Sequence, residues 1–309
     1  MPDQFTNALD ATEATQQAYA DQLGIKPNRI PFTAETLPDS RVAVRTNEDL
    51  LKEVASHILN RAGHVSIIDK RGAGKTHFRD LVYDALSEGP RRDEFYIARI
   101  REVESITTRR FYTRLLDALT AYDDLEIPEE YPHATDDVRQ VVENVSEQLE
   151  QLDRACVVQV DQLEDAARDA RTFRQLLAAL QSIGDLGEAK PVFILFLFGT
   201  PVAADRIDEL RETLSSRLVA KSRSLERFGF AETDELIARW LAWARAETYE
   251  EGYPSDPYTA SAITHITEQS DGTPRNVRQK CYHAFRAGAQ HFTQENQVEI
   301  TAGTLDTYL

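Results

Sequence analysis

Cysteine is nearly absent from this chain of 309 residues: Cys156 and Cys281 stand alone, in no Cys-x-x-Cys or Cys/His pattern. That excludes a disulfide framework and a thiolate metal centre, and a reducing cytoplasm is the expected compartment. Lysine is scarce as well, with seven residues against 28 arginines. Positive charge is outweighed overall, because Asp and Glu number 52 against 35 for Lys and Arg, a formal net charge of -17. Indiscriminate binding to nucleic acid or to anionic membranes is disfavoured. Long apolar runs are missing, since the longest, residues 192–198, falls far short of the roughly 20 residues that span a bilayer. The amino terminus has no basic stretch followed by an apolar one, so no signal peptide is expected and the chain reads as soluble.

What is present is an ordinary globular composition, 41% hydrophobic and 28% charged, long enough for about two domains with a well-buried core. The acid-rich, lysine-poor balance resembles that of cytosolic proteins from salt-loving archaea, whose self-repulsion is screened by salt. Short apolar runs at 65–68, 95–100, 156–160 and 192–198 alternate with stretches of helical spacing. Strand alternating with helix implies an α/β fold with a mostly parallel sheet covered on both faces. One such helix carries Val138, Val141, Val142, Val145, Leu149 and Leu152 on one face, and the acids around it, from 123 to 153, read as solvated. From about Phe230 only helices follow, the first with Thr233 as the expected N-cap and Asp234 and Glu235 in its first turn. The expected division is 1–40, a helix and a Pro-interrupted connector packing on the main body or remaining mobile; 41–229, the α/β domain; and 230–309, a small helical domain.

The first apolar strand runs directly into DKRGAGKTHF, residues 69–78, and then into a helix pattern. Gly72, Gly74, Lys75 and Thr76 match the end of a phosphate-binding loop, flanked by Arg71, Ala73 and His77. Glycines let backbone N–H groups approach phosphates, the helix N-terminus adds partial positive charge, Lys75 reaches the β/γ-phosphates and Thr76 can ligate Mg2+. ATP is the expected ligand. Asp69 departs from the pattern, which has glycine there; Asp at a strand end can adopt unusual backbone angles, but a carboxylate close to a triphosphate would repel it.

The partner motif is CVVQVDQLED, residues 156–165, whose Asp161 ends a strand and is the expected second holder of Mg2+. Gln162 follows, able to position a water but unable to take its proton, with Glu164 and Asp165 near enough in sequence to serve as a displaced base. Thr200 closes the next strand at the same sheet edge. Seven histidines form no metal-ligand spacing, and Trp240 and Trp243 read as core.

The phosphate loop, the Asp161 motif, the Thr200 strand, Arg217 and the segment GTPRN occur in the order found in AAA+ ATPases, over roughly residues 40–309. The chain most resembles the origin-recognition branch and the related helper ATPases of transposition and secretion, the latter through YADQLGIKPNRIPF and RTNEDLLKEV. By that resemblance Thr200 is sensor 1, Arg217 an arginine finger offered to a neighbouring subunit of the same or another AAA+ chain, and Arg275 sensor 2. Other readings make Arg217 a solvated helix end and Arg275 a salt-bridge partner. Origin-recognition proteins continue into a winged helix, for which this chain leaves no room before Leu309, which favours a shorter helper or regulatory ATPase. In that branch the region after the second strand contacts DNA; here it is ARIREVESITTRRFYTR, with Arg99, Arg101, Arg109, Arg110, Arg114, Phe111 and Tyr112, against which stands an arginine-rich surface. The implied activity is a slowly hydrolysing, Mg-ATP-dependent assembly switch in DNA replication or mobile-element transactions. The alternative is a silent ATP-binding scaffold.

Overall fold

The computed structural model describes residues 2–34, 37–187, 189–220 and 224–308. The expected connector around Phe32 lies partly outside them. In chain order the elements are α1 (Pro2–Gln22), α2 (Glu48–Asn60), β1 (His64–Ile68), α3 (Lys75–Ser87), β2 (Phe95–Ile100), α4 (Thr108–Leu119), α5 (Thr135–Gln151), β3 (Ala155–Val160), α6 (Leu163–Ala166), α7 (Ala170–Gly184) and β4 (Phe193–Gly199). They continue through α8 (Pro201–Leu210), α9 (Glu212–Arg217), β5 (Leu218–Ala220), α10 (Phe230–Arg245), α11 (Ala260–Gln269), α12 (Pro274–Glu295) and α13 (Ala302–Tyr308). Two compact units result, one of residues 47–225 and one that joins 1–46 to 226–309.

The larger unit is the expected α/β fold, a parallel sheet in the order β2-β3-β4-β1-β5. Its strands read as continuous apolar runs because both faces are buried, and side chains alternate between them. Ala98 and Ile100 of β2, Val158 and Val160 of β3, and Leu195 and Leu197 of β4 pack with α4, α5 and α7 through Phe111, Leu115, Val142 and Phe173. Their neighbours Ile97, Val157, Ile194 and Phe196 pack on the opposite face with Val54 and Ile58 of α2 and Phe78 and Val82 of α3. Parallel pairing places the carboxyl ends of β1, β3 and β4 on one edge of the sheet, the edge where ligands of open α/β sheets bind.

That sheet also buries a histidine. His64 opens β1, and its Nδ1 accepts from the Leu195 N–H at 3.3 Å, while a Cβ added at Gly184 would meet His64 Nε2 at 2.6 Å. Burial, and secondarily the Arg217 charge, pull the His64 pKa down to about 4. The folded state therefore excludes a proton that the unfolded chain accepts near pH 6.5, and stability complete above that pH is lost as pH falls toward 4, by about 3 kcal/mol. In urea unfolding across this window His64→Gln is expected to flatten the slope. An unchanged slope removes His64 as its source.

In the smaller unit Trp240, Leu241, Ile263, Val277 and Ala284 form the centre of a helical core. Beyond its exposed first half, α1 packs here through Tyr19 and Ala20 against Phe285 and Ala289 of α12, and the Tyr19 hydroxyl donates to the Val298 carbonyl at 2.6 Å. The first lid helix starts at Phe230, three residues before the expected cap. Glu232 reaches back to accept the Gly229 N–H at 2.8 Å, whereas Thr233 is buried.

Candidate functional site

At the carboxyl end of β1 the chain turns through residues 69–74 into α3. Gly72 and Gly74 adopt φ of 84 and 100, a region where a Cβ is strained, and Gly74 is the N-cap whose successor Lys75 opens the helix. Lys75 Nζ donates to the carbonyls of Asp69 at 2.5 Å and Lys70 at 2.8 Å, so the ammonium is drawn over the loop. Ala73 is buried against the α2/α3 face, while Arg71, Thr76 and His77 are exposed.

Asp69 corrects one expectation. It shows no positive φ, and its carboxylate is engaged by two backbone amides: Oδ2 accepts the Leu225 N–H at 2.8 Å and Oδ1 the N–H of Lys70, the next residue of the loop, at 2.7 Å. A buried carboxylate satisfied by backbone donors ties the start of the loop to the chain beyond β5. On the neighbouring strand the Gly199 carbonyl accepts the Asp69 N–H at 3.1 Å, which sets Thr200 beside the loop as the N-cap residue of α8.

After β3, Asp161 is followed by Gln162 in the left-handed region (φ 58), capping the short α6 with its side chain exposed. Glu164 and Asp165 face the loop's Arg71 at 3.8 and 3.5 Å, and Arg168 lies 2.9 Å from Asp165. One oxygen of Glu164, Oε2, is buried with no hydrogen-bond partner.

A Mg2+ ion beside Thr76 needs Asp161 to present carboxylate oxygen to it or to its waters. Instead Asp161 Oδ2 accepts from Arg79 Nη1, and Oδ1 accepts the Gln162 N–H at 2.8 Å. The Asp161 carboxylate, expected together with Thr76 to hold the ion, is paired here with a cation of the chain's own. Among the described residues no group of three or more His, Cys, Asp or Glu side chains could hold a metal.

Sequence reasoning missed Arg79 and the polar residues around it, Asp80 and Tyr83 of α3 and Gln159 of β3; Arg99 of β2, read as a DNA-facing arginine, joins them instead. One signal was available, since Gln159 is a polar residue inside an apolar strand and a buried amide demands partners. Arg217 falls elsewhere. It precedes β5 at the amino edge of the sheet, where Leu218 pairs with His64, and forms an ion pair with Asp185. Arg275 lies in the other unit, in the first turn of α12.

The proposed DNA-facing arginines divide. Arg109 donates to the Pro132 carbonyl at 2.8 and 3.1 Å and Arg114 to the carbonyls of Arg101 and Glu102, whereas Arg101 and Arg110 are exposed. Phe111 and Tyr112 are core residues, buried because they fall on the inner face of α4.

Comparison with solved structures follows this geometry. The ADP form of the Aeropyrum pernix ORC2 protein aligns with a TM-score of 0.56 at 12% identity, over 90% of this chain and 70% of that one. The fold is that of the origin-recognition AAA+ ATPases. Aeropyrum pernix ORC1 in complex with DNA matches at 0.50 and 13% identity, over 88% of this chain and 67% of that one. A Walker-type ATPase of Pyrococcus abyssi matches at 0.51 and 14%, over 86% and 75%. By sequence, a curated relative, an uncharacterized HTH-type transcriptional regulator of Methanocaldococcus jannaschii, is 24% identical over 172 residues. That match spans 55% of this chain and only 39% of the regulator. No protein-family model matches the chain. In the sheet of the larger unit the loop at 69–76, Asp161 and Thr200 share the carboxyl edge, and no helix among the described residues is long and apolar enough to cross a membrane.

Proposed function

We propose that the chain binds ATP through residues 71–77 and acts as a slowly hydrolysing AAA+ switch whose nucleotide state governs assembly on DNA, in replication or mobile-element transactions. The observation that carries this reading is the loop itself: two glycines at positive φ, at the end of a parallel strand, deliver Lys75 and a helix N-terminus to one point. Titration of the wild-type chain with a fluorescent ATP analogue tests it. A chain that binds neither ATP nor ADP removes the reading.

Slow hydrolysis follows from Gln162, whose amide orients a water without accepting a proton. Thr200 is the proposed sensor at the sheet edge, and Arg101 and Arg110 are the arginines left exposed for DNA. Gln162→Glu keeps the shape and adds a carboxylate at a helix N-cap, so single-turnover hydrolysis is expected to rise by at least about tenfold, the low end of general-base assistance. Glu164→Gln should change little. A second reading rests on the buried, unpartnered Glu164 Oε2 beside Arg71. If the wild type turns over briskly and Glu164→Gln stops it, Glu164 is the base and the slow switch is wrong.

A further inference from the structure

We propose that Arg79 takes the place of the divalent cation at Asp161, so that nucleotide binding at this site is nearly independent of Mg2+. The inference rests on residues 69–76 being a phosphate loop.

Arg79 lies one turn beyond Lys75 on α3 and is 8% exposed. Its guanidinium donates to Asp161 Oδ2 and, through Nε and Nη2, to Asp80 Oδ1 at 3.2 and 2.8 Å. The arrangement is held from the far side. Gln159 Nε2 donates to the Arg79 carbonyl at 3.1 Å, and Gln159 Oε1 accepts from Arg99 Nε at 3.2 Å. Arg99 Nη2 is 2.9 Å from Asp80 Oδ1, close enough to pair although not aligned for a hydrogen bond, and the guanidinium lies 3.5 Å over the Tyr83 ring. Charges therefore alternate from Asp161 to Arg79, Asp80 and Arg99, and Gln159 bridges the two arginines.

A surface ion pair yields readily to a competing ion, but this one does not share that freedom. Drawing Arg79 away would leave the Asp161 carboxylate, only 13% exposed, without its counter-charge, a strongly unfavourable change. A bare aspartate at the end of β3 would repel incoming phosphates, and a divalent ion is the usual remedy. With Arg79 in place that repulsion is already cancelled, and the phosphates meet Lys75 and the backbone amides without needing a metal. The other carboxylates of the segment face exposed arginines, Glu164 and Asp165 facing Arg71 and Asp165 also Arg168.

The test measures affinity by anisotropy of a fluorescent ATP analogue, in Mg2+ and in excess EDTA. For the wild type the two dissociation constants are expected to agree within about threefold, under 1 kcal/mol. Arg79→Gln exposes the Asp161 charge and should make binding in EDTA at least about tenfold weaker than in Mg2+. Should that variant fail to fold, Asp161→Asn serves instead; it removes the carboxylate, so its dissociation constants in the two buffers should agree within about threefold. A wild type that loses tenfold or more in EDTA, or an Asp161→Asn chain that still loses tenfold from Mg2+ to EDTA, overturns the proposal and leaves the phosphate loop standing. No binding in either buffer removes the phosphate loop itself, and the proposal with it.

Discussion

Lys75→Ala is expected to weaken ATP-analogue binding by at least about a hundredfold while leaving the fold intact. The ammonium is held over the loop by the carbonyls of Asp69 and Lys70, so it meets an incoming phosphate with little reorganisation. A charge-assisted hydrogen bond contributes about 1.5–3 kcal/mol, and a hundredfold in affinity is about 2.7 kcal/mol, so removing a single strong phosphate–ammonium hydrogen bond accounts for the effect. The loop should survive the change. Its course is set by Gly72 and Gly74, and by Asp69 through its backbone partners, none of which needs the Lys75 side chain. Anisotropy titration with circular dichroism on the same samples separates the two outcomes. Unchanged affinity in a folded Lys75→Ala chain rules out residues 69–76 as the phosphate site.

Arg217→Ala is expected to lower turnover of the self-associated chain by about a thousandfold and to spare nucleotide binding, the scale on which arginine fingers act in other systems. The structure constrains how this residue can work. It stands beside His64 at the amino edge of the sheet, and at about 3.3 Å per residue along β1 it is roughly 15 Å from the loop at the other end. If Arg217 is a finger, its guanidinium must serve a site on another subunit, after leaving Asp185, the partner it keeps in the single chain. Light scattering with and without ATP reports assembly, and phosphate release reports turnover. A strict monomer whose Arg217→Ala variant turns over normally rules out the finger.

The amino-acid sequence by itself determined the α/β class, strands β1 to β4 and the placing of a glycine-rich turn between β1 and α3. These were legible because their signals are local. A strand buried on both faces is a run of apolar residues, an amphipathic helix repeats every 3.6 residues, and a positive φ calls for glycine at 72 and 74. Strand β5, three residues long, is too short to carry a period. Tertiary structure alone decided which charges meet. Asp161 looked like a free carboxylate at a strand end until packing of α3 on the sheet brought it Arg79, 82 residues away in sequence. Asp69 looked like a repulsive charge beside the phosphates until the chain beyond β5 returned with the Leu225 amide, 156 residues on. The partner of α1 was equally hidden, because half of a helical core lay beyond residue 226. Hydrogen bonds and ion pairs between distant residues leave no periodic trace in the chain, and at this sheet edge they decide what each carboxylate is able to do.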